Sequence, residues 1–437
     1  MQGLADTTDQ SEETGIGGLR SPLVLRGLLP TDRSAIVLSG SGFTAGRAEE
    51  CEFRISGADV SRRHFEVFRE GPIYAVKDLR STNGIRINGR RVQQSALSAG
   101  MLLRAGDWLG LVEAEAESRP CGVEELCPGL FGGSLLASVI EPLKRAATSK
   151  IPIVLVGATG TGKEVLARAI HHLSGRAGAF QAINCAALPA ALAEGELFGY
   201  KRDALAVSER ERSGQFRAAH AGTLFLDDVA GLTLSVQAKL LRAVELGEVT
   251  PLGETVSLPF DARLVVATQT PLEELVAQGS FRNDLAARLA GLTVRLPTLA
   301  ARKADIPGLF WYFLREHSGG RPPQVSTKLF ERLCLHDWPG NVRELLLLAR
   351  QLLAVHGAEP FLRRSHLPQE LQGARPDVRD SDASELSPRE EDRSEYDLRR
   401  LRAAIRESGG NVTLAAQRSG ISRQRAYRLM AREDRSR

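Results

Sequence analysis

The chain has 437 residues with 43% hydrophobic and 25% charged content, which is too long for one compact core and suits about three globular domains of ~150 residues each. No apolar stretch approaches the ~18 residues that span a bilayer, and the acidic start MQGLADTTDQSEET lacks the basic-then-apolar order of a signal peptide; a membrane partner is excluded and the expected location is cytoplasmic. Five scattered cysteines form no CxxC pair and no histidine cluster has metal-ligand spacing, while the net charge of +4 conceals a basic end: residues 394–437 carry eleven arginines against five acids, which points to a polyanion partner.

Residues 1–20 are polar and acidic, without aromatics, and read as a disordered tail. Over residues 21–115, short alternating runs such as HFEVF and IYAVKDL are separated by REG, STNG and NGRR turns, the period-two pattern of an all-β sandwich. Three features of this module converge: Gly46-Arg47 after a strand, Ser61-Arg62-Arg63-His64, and Ser81-Thr82-Asn83-Gly84 followed by Asn88-Gly89. A phosphate dianion wants a guanidinium fork, a hydroxyl and a second cation, which Arg47, Ser61 and Arg62 can supply from adjacent loops. His64 reads as an internal hydrogen-bonding residue that orients the Ser61 loop. In this order the motifs resemble the forkhead-associated (FHA) phosphothreonine-binding domain, and the resemblance implies that Asn83 holds the ligand backbone with Thr82 beside it. The ligand is expected to be a phosphothreonine protein or the chain's own tail, through Thr7, Thr8 or Thr14.

After a connector with Pro120 and Pro128, residues 129–372 alternate apolar runs (IPIVLVG, GTLFLDD, ARLVVATQ) with helical patterns (KEVLARAIHHL, SVQAKLLRAVEL). That alternation predicts a parallel sheet covered by helices, closing in a helical lid over about 300–372. The loop containing Gly157, Gly160, Thr161 and Gly162 follows a strand and opens a helix, so its backbone N–H groups can wrap phosphates, with Lys163 reaching the terminal ones. Glu164 stands where such loops usually carry Ser or Thr, and His171 and His172 read as the end of the following helix.

The segments GKEVLARAIH, NCAAL, ELFG, GTLFLDD, QAKLLR, FRNDLAARL and WPGNVREL resemble, in sequence, the AAA+ domain of the bacterial enhancer-binding proteins, the sigma-54-dependent transcription activators, which themselves carry Glu at the Glu164 position. The resemblance implies ATP and Mg²⁺ as cofactors. It makes Asp227 the Mg²⁺ ligand and places Asp228 where the family has Glu to polarise the attacking water. Asn184 resembles the switch residue that restrains that carboxylate, and Gln269 stands where the family's sensor has Asn. Arg282 and Arg288 match arginine fingers supplied in trans, which implies a homo-oligomeric ring, and Arg343 matches the lid-borne sensor of the γ-phosphate.

Residues 373–393 are dominated by charge, Ser and Pro and read as a linker. In residues 394–437, Ser419-Gly420-Ile421 gives a turn and Ser422 caps a second helix whose Arg423, Gln424, Arg425, Tyr427 and Arg428 suit base edges and phosphates; the segment resembles the Fis-type helix-turn-helix, presented as a dimer to specific double-stranded DNA. The expected fold class is therefore multidomain: an FHA sandwich, an α/β P-loop domain with a helical lid, and an all-α helix-turn-helix. The expected function is a cytoplasmic transcription regulator of the sigma-54 activator type that binds ATP and DNA and answers to phosphothreonine. One departure sets an alternative beside it. Where the family contacts the sigma-54 form of RNA polymerase with GAFTGA, this chain has Asp203, Ala204, Leu205, Ala206, Val207 and Ser208. With Asp228 and Gln269 also off the family pattern, slow hydrolysis is expected, and the alternative is an ATP-tuned DNA-binding regulator or repressor that does not act through sigma-54.

Overall fold

The computed structural model describes residues 23–29, 34–114, 122–201 and 211–372. The acidic tail, residues 203–208, the linker, and the helix-turn-helix with Ser422, Arg423, Gln424, Arg425, Tyr427 and Arg428 lie outside the described residues.

The N-terminal module is the expected all-β sandwich. Its first sheet contains β1 (Leu23–Leu29), β2 (Ala35–Leu38), β7 (Ile85–Ile87), β8 (Arg90–Val92), β10 (Leu102–Ala105) and β11 (Trp108–Ala114), in the order β2-β1-β11-β10-β7-β8. The second contains β3 (Gly42–Gly46), β4 (Phe53–Arg54), β5 (Phe65–Glu70), β6 (Ile73–Asp78) and β9 (Gln94–Leu97), in the order β4-β3-β5-β6-β9. Alternation decides which side chains meet between the sheets: Phe65 and Val67 of β5 point inward and are fully buried, while Glu66 and Phe68 between them are not. Phe53 and Phe65 pack on Trp108 with ring centroids 6.0 Å away in each case.

The first sheet breaks the alternation. β10 is buried at every position, and β11 at five consecutive ones. A half-covered antiparallel strand does not read this way; the outer face must be covered too. It is covered by the C-terminal lid: Leu28, Leu29, Leu102, Leu109 and Leu111 belong to the same apolar cluster as Leu309, Leu329, Phe330 and Leu333.

A hairpin of β12 (Glu124–Cys127) and β13 (Leu130–Gly132) leads into α1 (Ser134–Ala146) and the central sheet. That sheet has the order β15-β16-β19-β14-β20, all parallel, formed by β14 (Ile153–Val156), β15 (Phe180–Asn184), β16 (Thr223–Asp227), β19 (Arg263–Thr268) and β20 (Leu292–Arg295). Crossovers run through α2 (Lys163–Ser174), α3 (Ala190–Phe198), α4 (Gly214–Ala218), α5 (Leu234–Leu246), α6 (Leu272–Ala277) and α7 (Asn283–Leu289), with a short hairpin of β17 (Glu248–Val249) and β18 (Leu258–Pro259) between α5 and β19. β14 and β19 are buried along their whole length, as central strands of a doubly covered parallel sheet must be. His171 and His172 fall in the last turn of α2 as expected, with His171 Nδ1 2.9 Å from Thr223 Oγ1.

The lid comprises α8 (Asp305–His317), α9 (Thr327–Leu335), α10 (Asn341–His356) and α11 (Gln369–Gln372), with β21 (Gln324–Val325) and β22 (Phe361–Leu362) forming a two-stranded parallel pair. Ser326 caps α9, its hydroxyl accepting from the Leu329 amide at 3.3 Å. No described helix is long and apolar enough to cross a membrane.

Candidate functional site

The largest constellation of chemistry lies at the carboxyl end of the parallel sheet, where β14 runs into α2. Gly160 and Gly162 take φ values of 75° and 108°, which only glycine adopts without strain. Gly160 is constrained twice: a Cβ there would lie 2.1 Å from the Gly340 carbonyl oxygen, so its bareness also lets the lid close onto the loop. Behind the loop, Lys163 donates to the carbonyls of Gly157 at 2.7 Å and Ala158 at 3.2 Å, and Thr161 donates its hydroxyl to the Ala158 carbonyl at 2.8 Å.

A cavity of about 350 Å³ opens above this loop, lined by Thr161, Lys163, Glu164, Asn184, Asp227, Asp228 and Arg343. Its far wall is apolar: Leu130 and Phe131 from β13, Leu309, Tyr312 and Phe313 from α8, and Leu346 from α10. Phe131 and Tyr312 stack with centroids 4.0 Å apart. The wall is fastened to the lid, because a Cβ at Gly133 would meet the Asp305 carboxylate at 2.2 Å, and Asp305 pairs with buried Arg302 at 3.3 Å. A flat apolar slot beside a ring of backbone amides and charges is the shape that takes a purine nucleotide.

The charges inside are arranged for a cation and a polyanion. Asp227 ends β16, and Asp228 follows in the left-handed region at φ 49°, donating its amide to Asp227 Oδ1 at 3.1 Å. Burial, and then the neighbouring Asp228, push the Asp227 carboxyl above its ordinary range; burial lowers the Lys163 ammonium against the opposing pull of both carboxylates. Two adjacent carboxylates and a desolvated lysine are a donor set that a hard divalent ion and phosphate oxygens would relieve.

The switch arrangement differs from the expectation. Asn184 lines the cavity, but its amide oxygen accepts from the Ala187 amide at 3.1 Å and so caps a short helical turn. The contact to Asp228 comes from Gln269, whose Nε2 lies 3.4 and 3.5 Å from the two carboxylate oxygens. The long Gln side chain reaches across from the end of β19; that pairing was invisible in the sequence because the two residues lie 41 positions apart. Glu164 points along α2 and pairs with Arg168 at 2.8 Å. Neither Arg282 nor Arg288 lines this cavity: Arg282 pairs with Asp284 at 2.7 Å, and Arg288 lines a separate cavity with Arg176 and Arg263.

A second site is formed on the sandwich by the loops before β5 and β7. Thr82 donates its amide to Ser61 Oγ at 3.1 Å, so the two loops are stitched together, and Asn83 Nδ2 donates to the Asp59 carbonyl at 2.8 Å. Arg47, Arg62 and Thr82 are exposed around them. A Cβ at Gly46 would sit 2.2 Å from the Arg62 carbonyl, which explains the glycine beside Arg47. His64, fully buried, does what the sequence suggested: Nδ1 accepts from the Ser61 amide at 3.0 Å, which leaves Nε2–H to donate to the Gly84 carbonyl at 3.2 Å. That pair of bonds defines a neutral tautomer, and burial holds the ring below the ordinary histidine value.

One cluster was missed. His356, Glu359 and His366 carry ligand-type atoms within 4.8 Å of one another, brought together by the turn between α10 and β22 and the short helical turn Arg364–His366 after β22. Glu359 accepts from His356 Nδ1 at 2.8 Å and lies 3.4 Å from His366 Nε2.

Comparison with known proteins agrees with this geometry. The family model "Sigma-54 interaction domain" matches residues 132–295, "FHA domain" matches 43–106 and "AAA+ ATPase lid domain" matches 300–384. The chain is 36% identical over 304 residues to the transcriptional regulatory protein GlrR of Escherichia coli K12, covering 69% of this chain and 66% of that protein, just under two thirds of its length. It is 44% identical over 219 residues to the pathogenicity locus probable regulatory protein WtsA of Pantoea stewartii, covering 49% of this chain and 67% of that one. Among solved structures, NtrX from Brucella abortus in complex with ATP superposes with a TM-score of 0.51 at 32% identity, covering 69% of this chain and 68% of that one.

The buried neutral His64 yields a prediction. Below an ordinary histidine value of about 6.5, the unfolded chain takes up a proton that the folded site refuses until lower pH, so stability falls as pH drops through that window. Thermal unfolding of the full chain at pH 7.5 and 5.5 should show a larger loss for wild type than for His64→Gln. Equal losses would mean that His64 is not held neutral.

Proposed function

Because the chain belongs to the sigma-54-dependent transcriptional regulators and carries an FHA domain, we propose that it is an ATP-driven, DNA-binding regulator of that type whose activity answers to a phosphothreonine signal. The observation that carries this reading is the convergence of Lys163, Asp227, Asp228 and Arg343 on one cavity floored by the glycine loop and walled by an apolar slot. AAA+ domains of sigma-54 activators bind ATP, and the NtrX neighbour was solved with it.

In this reading the amides of the loop around Gly160, Thr161 and Gly162 hold the phosphates, and Lys163 neutralises the terminal ones. Asp227 would hold Mg²⁺, with Glu164 at the helix start beside it; the ion would screen phosphate charge during transfer to water. Asp228, steadied by Gln269, orients the attacking water, and Arg343 reaches the γ-phosphate from the lid. Asn184 occupies the floor of the same site. Arg282 and Arg288 would act in trans on the nucleotide of a neighbouring protomer, in a ring assembly; neither lines this chain's own cavity. On the sandwich, Arg47, Ser61 and Arg62 take the phosphate, and Thr82 and Asn83 take the peptide backbone. The helix of Ser422, Arg423, Gln424, Arg425, Tyr427 and Arg428 reads DNA.

Residues 203–208 favour a second reading, in which sigma-54 is not engaged, because the aromatic, the Thr and both glycines of GAFTGA are missing there. The sigma-54 interaction model nevertheless spans that stretch, and the first reading is preferred.

Lys163→Ala should weaken binding of a fluorescent ATP analogue by roughly 100-fold or more, since leaving a buried charge without its partner costs about 3–5 kcal/mol. Retained affinity would remove the nucleotide assignment. Arg47→Ala should abolish binding of phosphothreonine peptides, which the wild type should prefer over phosphoserine and unmodified ones in calorimetric titration; equal affinity for all three would refute phosphothreonine recognition. In an open-complex assay with sigma-54 polymerase and ATP, the wild type should open promoters more weakly than a variant carrying GAFTGA at 203–208. No opening by either protein would favour the reading without sigma-54.

A further inference from the structure

The sandwich and the lid share one interior. Besides the leucines of β1, β10 and β11, polar contacts between described residues cross from one to the other. Arg104 on β10 pairs with Glu331 on α9 at 3.0 Å, with side chains only 9% and 6% exposed. Thr327, the first residue of α9, donates its hydroxyl to the Asp107 carbonyl at 2.9 Å, and Lys303 donates to the Gly100 carbonyl at 3.3 Å. An ion pair this dry is costly to open on one side alone, and the leucines around it exclude water. The two units are packed like a single core.

Asp107 belongs to both sides of this contact. While its carbonyl is held by Thr327, its carboxylate accepts from the amides of Ala58 at 3.0 Å and Asp59 at 3.2 Å. Asp59 in turn offers its carbonyl to Asn83, and Ser61 lies two residues further along the same loop. A Cβ at Gly106 would strike the Asp59 carbonyl at 2.4 Å, so the turn carrying Asp107 is pressed against that loop. The Asp59 carboxyl is raised by burial and by Asp107, with Lys328 of α9 and Arg104 pulling the other way.

The other end of α9 is joined to the nucleotide cavity through the turn that follows it. Trp338 is buried and donates Nε1–H to the Leu333 carbonyl at 2.8 Å, tying the end of α9 to the turn that follows. From that turn Asn341 Nδ2 donates to the Thr159 carbonyl at 2.9 Å, Val342 donates its amide to the Gly160 carbonyl at 3.0 Å, and Arg343 enters the cavity.

We propose that the sandwich is docked on the lid as a transmitter, with Asp107 and α9 linking the phosphothreonine loop to the nucleotide cavity, so that occupancy of one site changes the affinity of the other. The inference rests on the function proposed above. Nucleotide held between the glycine loop and Arg343 biases the position of the lid, and the lid cannot shift without straining the Thr327–Asp107 and Arg104–Glu331 contacts that brace the Asp59 loop. Linkage then requires the effect to be reciprocal and equal in both directions.

The test uses the full chain, a phosphothreonine peptide selected from a degenerate library on that chain, and ADP and a non-hydrolysable ATP analogue. Peptide affinity should change about 5-fold or more between the nucleotide-free and a nucleotide-saturated protein, and nucleotide affinity should change by the same factor on adding peptide. The triple variant Arg104→Met, Glu331→Met, Thr327→Val removes the polar contacts while keeping apolar volume; it should bind each ligand alone like the wild type, with the factor reduced below about twofold. A wild-type factor below twofold overturns the coupling and leaves the proposed function standing, as does a folded variant that keeps the full factor. Failure to bind either ligand at all overturns the proposed function itself. Should the variant not fold, hydrogen exchange of the amides of α9 in the wild type decides: protection must change on adding peptide, and unchanged protection overturns the proposal.

Discussion

The geometry of the nucleotide cavity hangs on one buried amide. Asn341 accepts from the Leu299 amide at 2.8 Å through its oxygen and donates to the Thr159 carbonyl at 2.9 Å through its nitrogen, so a single side chain ties the entrance of the lid, the phosphate loop and the first turn of α10 together. No isosteric carboxylate could do this, because the contact needs a donor and an acceptor at once. The backbone accepts strain to deliver it: Trp338 and Asn341 both have φ of 52°. Asn tolerates that region because its short polar side chain can bond locally, whereas Trp does not, and the buried Trp338 ring with its own hydrogen bond to Leu333 offsets the cost. Arg343 is aimed into the cavity two residues later as a consequence of that turn.

The acidic end of the cavity shows a related economy of reach. Relative to the sigma-54 activators, the acid at 228 is shorter by one methylene and the amide at 269 is longer by one. The sum of the two side chains is unchanged, and in the structure they do meet, with Gln269 Nε2 3.4 Å from the nearer Asp228 oxygen. Taken separately in the sequence, each substitution looks like a lesion. In the structure they face each other, and Asn184 caps its own turn.

Much of the architecture was legible because its signals are local. The glycine loop, the alternation of β5 and the fixed order of motifs around Ser61 and Thr82 are each short-range patterns with one stable outcome. The role of His64 could also be read, since its partner Ser61 is only three residues away. The misses share a cause. Arg104 and Glu331 lie 227 residues apart, so their pairing leaves no local pattern in the run LLRA. A weaker signal for the covered face lies in the unalternated runs LVL of β1, LL of β10 and WLGLV of β11, which an antiparallel sandwich exposed to water on its outer face does not need. The histidine pair at 356 and 366 was missed for the same reason, since its proximity is created by a turn and by β22 pairing with β21.

The same distinction between local text and tertiary frame bears on the 203–208 stretch. Its residues depart from GAFTGA, but the described residues that flank it are tied closely together. Tyr200 pairs with Arg212 and also bridges to Leu252, while Arg212 forms an ion pair with Glu196 on α3. Gly199 and Gly214 both have positive φ, and a Cβ on Gly214 would lie 2.4 Å from the Gly199 amide, so the two ends of the excursion are held at a separation only glycine permits. The two ends are the close of α3 and the start of α4, and α4 packs beside β15, whose last residue, Asn184, lines the nucleotide cavity.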